Sequence, residues 1–187
     1  MDLVTEAIKF AADAHDGMRR KMSGAPYILH PMEAAVIVGT MTDDQEVIAA
    51  AALHDVVEDA EVSIDDIERK FGTRVRQLVG TETENKRAHL PPSATWRIRK
   101  EETLATLSET DDVAVLMLWI GDKLANIRSI YRAWKTEGDN IWGYFNQRDK
   151  NEQAWYYRRI AALTEKISHT SAWIEYSALI NLIFGKG

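Results

Sequence analysis

The chain has 187 residues, 45% hydrophobic and 28% charged. That is enough for one domain with a sizeable core and the wrong balance for a disordered segment. It contains no cysteine, which excludes disulfides, thiolate metal sites and cysteine nucleophiles, so any metal must be held by imidazole and carboxylate. A formal net charge of −6 argues against a DNA or RNA binder, because neutralising a phosphate backbone needs a broad basic surface.

A small phosphorylated ligand needs only a local basic pocket. Residues 1–10 lack the basic start and apolar run of a signal peptide, which makes the cytoplasm the expected location. The apolar stretch 113–120 falls far short of the roughly twenty residues that span a bilayer, so no membrane partner is expected.

Helical periodicity runs from end to end, and period-two alternation is hard to find, so the expected fold class is all-α. Apolar Val4, Ala7, Ile8 and Ala11 predict a first helix over 3–15, followed by a basic loop carrying Arg19, Arg20 and Lys21. Pro31 suits the first turn of a second helix running to about Thr40, which places His30 at its entrance. Thr42, Asp43 and Asp44 offer caps for a third helix, expected to run through 47–53 into HDVVED at 54–59. Ser63 and Asp66 resemble a capping arrangement for a short surface helix ending near Phe71-Gly72, with another beginning at Thr73. The polar segment 82–93 reads as a loop free to cover a site, and 94–108 as a helix bearing Arg97, Arg99 and Lys100. Asp111 and Asp112 open the strongest helix, 113 to about 134, apolar nearly all round in its first half and therefore central. Two further helices and an aromatic cluster are expected over about 141–184.

In HDVVED the pairs His54/Glu58 and Asp55/Asp59 are each four residues apart, so a helix places each pair on one face. Burying so many acids beside an alanine-rich run is costly unless a cation or hydrogen bonds compensate them. Asp122 interrupts the apolar run LMLWIGDKLAN. It can serve as a metal ligand or as a salt-bridge partner of Lys123. His30 can be a third donor or a structural cap of the turn at 27–31. A set of two imidazoles and two carboxylates suits manganese, iron or zinc better than calcium or magnesium, and manganese is the choice by ligand type. Glu58 and Asp59, next to these ligands, are candidates for proton transfer to and from an activated water. The 19–21 run is either a solvated face or a phosphate clamp. His15, His89 and His169 have no comparable surroundings and read as ordinary polar residues.

HDGMRRKMSGAPYILHP at 15–31, ALHDVVEDA at 52–60, FGTRVRQLV at 71–79 and GDKLANIRS at 121–129 together resemble one family. It is the hydrolase domain of the Rel/Spo-type enzymes, especially the stand-alone small alarmone hydrolases. The resemblance implies an HD-type helical bundle that binds one manganese ion and removes the 3′-pyrophosphate of guanosine tetra- or pentaphosphate, giving pyrophosphate and GDP or GTP. By position it implies His30, His54, Asp55 and Asp122 as metal ligands and Glu58 with Asp59 as the catalytic acid pair. Arg20 and Lys21 then match the basic loop that meets the nucleotide, and Asn126 and Ser129 the base and ribose pocket. The family usually has leucine and a small residue such as alanine before the last aspartate, where this chain has Ile120-Gly121. Segment 84–100 matches poorly, so no phosphate contact is carried over there.

The expected organisation is a single HD-type domain over 1–187, with a motif-bearing part over about 3–135 and aromatic-rich helices over about 141–184. The expected partner is a small nucleotide, and the oligomeric state is open. A phosphohydrolase of another nucleotide, such as NADPH or a deoxynucleotide, and a non-catalytic nucleotide- or partner-binding protein are the alternatives.

Overall fold

The structure, a computed structural model, describes residues 2–60, 62–84, 87 and 89–185. Those residues form α-helices, two 3-10 turns and one isolated bridge between Arg19 and Pro26, with no strand among them. The all-α expectation therefore holds. Asp2 caps α1 (Leu3–Ala14), its carboxylate accepting from the Thr5 N–H. The basic segment that follows is closed on itself. Tyr27 N–H donates to the Met18 carbonyl and Arg20 N–H to the Ala25 carbonyl, both at 2.9 Å. Gly24 turns the chain at φ +66°, a region that a β-carbon disfavours. This closure delivers His30 to the first turn of α2 (Leu29–Gly39).

Asp44 caps α3 (Gln45–Leu53), whose last five residues, Ala49 through Leu53, have no exposed surface. Their small side chains let α1 and α2 pack closely against it. HDVVED departs from the expected continuous helix: α3 stops at Leu53 and α4 (Val56–Asp59) restarts after a turn at His54-Asp55. The physical reason is local. His54 Nδ1 lies 2.8 Å from the Ala51 carbonyl, the acceptor that a continuing helix offers to Asp55 N–H. Asp55 then relaxes to φ −92°, ψ −10°, between the helical and extended regions.

The Ser63–Asp66 capping box opens α5 (Ile64–Phe71), and α6 follows (Thr73–Glu82). The loop expected over 82–93 is shorter at both ends. Glu82 belongs to α6, on the face shared by Val75, Leu78 and Val79 at three- and four-residue spacing. Pro92 starts α7 (Pro92–Ser108), where its missing N–H costs nothing.

The long helix α8 (Val113–Glu137) is capped by Asp112 and runs through the middle, packed against α2, α3, α6 and α10. After a 3-10 turn at Gly138–Tyr144 come α9 (Lys150–Leu163) and α10 (Ser171–Phe184). The aromatic residues of this third form a second packing layer. Trp96 of α7 meets Tyr156 edge-on at 6.0 Å, and Phe184 stacks on Trp142 at 5.5 Å and on Tyr157 at 6.1 Å. No helix is long and apolar enough to cross a membrane among the described residues.

Candidate metal centre

α2, the His54-Asp55 turn and α8 converge on one point. Gly121 is what allows α8 to come so close to α2: a β-carbon there would lie 2.5 Å from Val38 Cγ2 and 3.2 Å from the Ala34 carbonyl oxygen. His30 Nε2 sits 3.0 Å from Asp122 Oδ1 and 3.4 Å from Asp55 Oδ2. His54 Nε2 sits 3.3 Å from Asp55 Oδ2 and 3.5 Å from Asp122 Oδ1. The two Nε2 atoms are 3.2 Å apart. His30, His54 and Asp122 are buried and offer one ligand atom each within 4.8 Å of one another. Asp55 adds an oxygen within 3.4 Å of both imidazoles.

The chemistry of this donor set fits a divalent cation. His54 Nδ1 donates to the Ala51 carbonyl, so a neutral His54 presents a lone pair at Nε2. That lone pair faces another imidazole nitrogen and two carboxylate oxygens, all within 3.5 Å. A proton or a metal must stand among them. Burial disfavours charge on His54, yet the Asp55 and Asp122 carboxylates hold its imidazole well above the ordinary range. Burial likewise opposes ionisation of Asp55, and the two imidazoles hold it well below the usual carboxylate range. Two imidazoles and two carboxylates match the preferences of manganese, iron and zinc.

The neighbours orient these donors. Asp122 does both things its sequence context allowed: Oδ1 faces the histidines, while Oδ2 pairs with Lys123. Asn126 Nδ2, one turn on, donates to Asp122 Oδ1 at 2.6 Å, and Arg20 Nη2 donates to Asn126 Oδ1 at 2.9 Å. The centre opens into a polar cavity of about 210 Å³ lined by Arg20, Tyr27, Glu58, Asp59, Glu82, Glu84, Arg99, Lys100, Lys123 and Asn126 along with His30, Asp55 and Asp122. The Glu84 N–H donates to Glu58 Oε1, and the Glu84 carboxylate binds Lys100 and, at 2.7 Å, Arg99 Nη1.

Of the residues singled out from the sequence, the structure thus brings Arg20, His30, His54, Asp55, Glu58, Asp59, Asp122 and Asn126 to one place. Lys21 is exposed and lines an adjoining cavity of about 450 Å³ with Arg99 and Lys100. Ser129 lines a cavity of about 400 Å³ that shares Arg20 and His30 with the centre and reaches Glu33 and Arg132. Arg97 points elsewhere, over Trp155 and paired with Glu101 and Glu152.

Three groups were missed. Tyr27 places its hydroxyl 2.8 Å from both Asp55 Oδ2 and Asp59 Oδ2. His15, expected to be an ordinary polar residue, is buried and stacks on the Tyr27 ring at 5.0 Å. Glu82 is buried 3.4 Å from Lys123; burial pushes its carboxyl up to about 7 against the lowering effect of that ammonium. The spacing from Val75 through Leu78 and Val79 was the available signal for Glu82.

The HD domain family matches residues 7–150, and the chain belongs to that family. Among solved structures it is similar to lmo0812 of Listeria monocytogenes EGD-e, with 34% identity, 84% of this chain and 99% of that one covered, and a TM-score of 0.73. A structure titled "A metazoan ortholog of SpoT hydrolyzes ppGpp and plays a role in starvation responses" shares the fold over 100% of this chain and 98% of its own, at 23% identity and a TM-score of 0.78. Curated relatives include "Putative GTP diphosphokinase RSH1, chloroplastic" of Oryza sativa subsp. japonica, 36% identical over 137 residues, 70% of this chain and 15% of that protein. "Probable guanosine-3′,5′-bis(diphosphate) 3′-pyrophosphohydrolase" of Synechocystis is 36% identical over 128 residues, 68% of this chain and 17% of that protein. The chain therefore spans less than a fifth of the length of these two relatives.

Proposed function

We propose that the protein is a manganese-dependent 3′-pyrophosphohydrolase of guanosine tetra- and pentaphosphate, releasing pyrophosphate and GDP or GTP. The observation that carries this reading is the convergence of His30, His54, Asp55 and Asp122 with the acids Glu58 and Asp59 in a cavity that also holds Arg20, Arg99, Lys100 and Lys123. The name of the relative in Synechocystis supports the same substrate. His30, His54, Asp55 and Asp122 would hold the ion. A divalent ion bound there would lower the pKa of its bound water and neutralise phosphate charge.

The remaining work falls to the chain's own groups. Hydrolysis joins the water oxygen to the phosphorus attached at O3′, breaks that phosphorus–O3′ bond and returns a proton to O3′. Glu58, fixed at one oxygen by the Glu84 N–H, orients the water and takes its proton. Asp59 is the acid that gives a proton to the departing O3′. Arg99 and Lys100 face the cavity and meet the diphosphate charge, while Arg20 and Lys21 hold the nucleotide's other phosphates. Asn126 and Ser129 contact the nucleoside.

Metal content and turnover of guanosine tetraphosphate should separate the two kinds of residue. Asp55→Ala should lose both. Glu58→Ala should keep its manganese while turnover falls by about 10²–10⁴-fold, the usual worth of a general base. Wild-type turnover in both variants would sink the mechanism.

A further inference from the structure

We propose that Tyr27 is a positioning residue: its hydroxyl sets the spacing between the metal-facing Asp55 and the acid Asp59, and its ring is clamped by His15 to keep it there. The inference rests on the metal reading above and deepens it.

The phenolic oxygen lies 2.8 Å from Asp55 Oδ2 and 2.8 Å from Asp59 Oδ2. Asp55 Oδ2 is also the atom that stands 3.4 Å from His30 Nε2 and 3.3 Å from His54 Nε2. One oxygen therefore meets the carboxylate at the centre and the carboxylate one turn further along α4. A phenol carries a single proton and donates to one acceptor at a time. Its oxygen is thus common to both acids, and displacing either acid displaces the partner's hydrogen bond.

The ring is held on several sides. The His15 ring is nearly parallel to it, 13° apart with centroids at 5.0 Å. His15 is pinned to α1 through Nδ1, 2.9 Å from the Ala11 carbonyl. Its Nε2 is buried with no hydrogen-bond partner among the described residues, so what His15 offers Tyr27 is a flat face and not a polar contact. His30 meets the same ring edge-on at 6.1 Å, and the Arg20 guanidinium sits 5.4 Å from its centroid. Tyr27 accordingly ties the loop after α1, the first turn of α2 and the turn into α4 to one point. Groups that orient metal-facing carboxylates are worth about 10–100-fold in metal affinity or activity.

The test uses the full chain in two readouts, affinity for Mn²⁺ alone and steady-state turnover of guanosine tetraphosphate at saturating Mn²⁺. Tyr27→Phe keeps the ring and its stacking on His15 and removes only the hydroxyl. It should weaken Mn²⁺ binding about 10-fold and lower kcat about 10–100-fold with KM nearly unchanged. Tyr27→Leu, which removes ring and hydroxyl together, should lose a similar factor in kcat. Wild-type affinity and kcat in Tyr27→Phe, with loss only in Tyr27→Leu, would reduce Tyr27 to packing and overturn the proposal; so would a change confined to KM. A wild-type chain that binds no Mn²⁺ and turns nothing over would instead defeat the metal reading beneath it.

Discussion

The lone pairs of two buried imidazoles cannot face each other without a proton or a metal between them, and in the metal-free protein it is a proton. His54 is held protonated above its ordinary range by Asp55 and Asp122 against the opposing effect of burial. Because its folded pKa is raised, this contribution to stability is fully present below about 6.5, the unfolded value, and is lost as pH rises through the folded one. Asp55 and Asp122 work in the other direction: their depressed pKa values contribute above the ordinary carboxylate range and are lost as pH falls. A metal needs a neutral imidazole and therefore displaces the proton. Manganese affinity is expected to rise with pH and its uptake to release protons, which calorimetry in buffers of different ionisation enthalpy measures. Uptake with no proton release between pH 6 and 8 would contradict this account of His54. His54, Asp55, Glu58 and Asp59 were legible because six consecutive residues carry them. Tyr27 and His15 were not: their roles arise from a stack and a shared hydroxyl that no spacing rule encodes.

Between elements, the decisive contact is the approach of α8 to α2. Gly121 immediately precedes Asp122, and Val38 is the reason it lacks a side chain: Val38 Cγ2 would lie 2.5 Å from an added β-carbon. Gly121→Ala gains about 1 kcal/mol of helix propensity and costs about 1–3 kcal/mol of overpacking. The backbone carbonyl of Ala34 at 3.2 Å cannot yield as a side chain can. A net loss of up to about 2 kcal/mol in denaturant unfolding is expected, together with weaker metal binding, because α2 carries His30 and α8 carries Asp122. Val38→Ala in the same chain should recover part of the metal affinity, since it relieves the Val38 contact and leaves the Ala34 one. Gly121→Ala with wild-type stability and metal affinity would show that the helices part at no cost.

The same scale explains where element boundaries were and were not readable. α5 and α8 announced themselves through Ser63 with Asp66 and through Asp112, caps that lie next to the helices they serve, and α1 through its apolar periodicity. The break at His54-Asp55 did not. It depends on an imidazole bonding to the carbonyl three residues before it, which propensity does not register.

Over the whole molecule, the C-terminal third buttresses the helix that carries Asp122. α10 packs along α8, and Arg128 of α8 bridges Glu33 of α2 and Glu175 of α10. These ion pairs are partly exposed, with Glu175 at 44%, so they align the helices more than they stabilise them. Glu175→Ala is expected to cost less than about 1 kcal/mol, and less still at high salt. A larger loss in thermal or denaturant unfolding would assign Arg128 a structural weight that its exposure does not support. The aromatic layer of α7, α9 and α10 was visible in composition, but its role was not, since which rings meet depends on how helices distant in sequence pack.

The reaction proposed for this arrangement is cleavage at O3′ of a guanosine bis(diphosphate). Product identification from guanosine tetraphosphate with the manganese-loaded chain tests it most directly. Equal amounts of GDP and pyrophosphate, abolished by a chelator and restored by Mn²⁺, are expected; release of inorganic phosphate in place of pyrophosphate, or no turnover by metal-loaded protein, would contradict it.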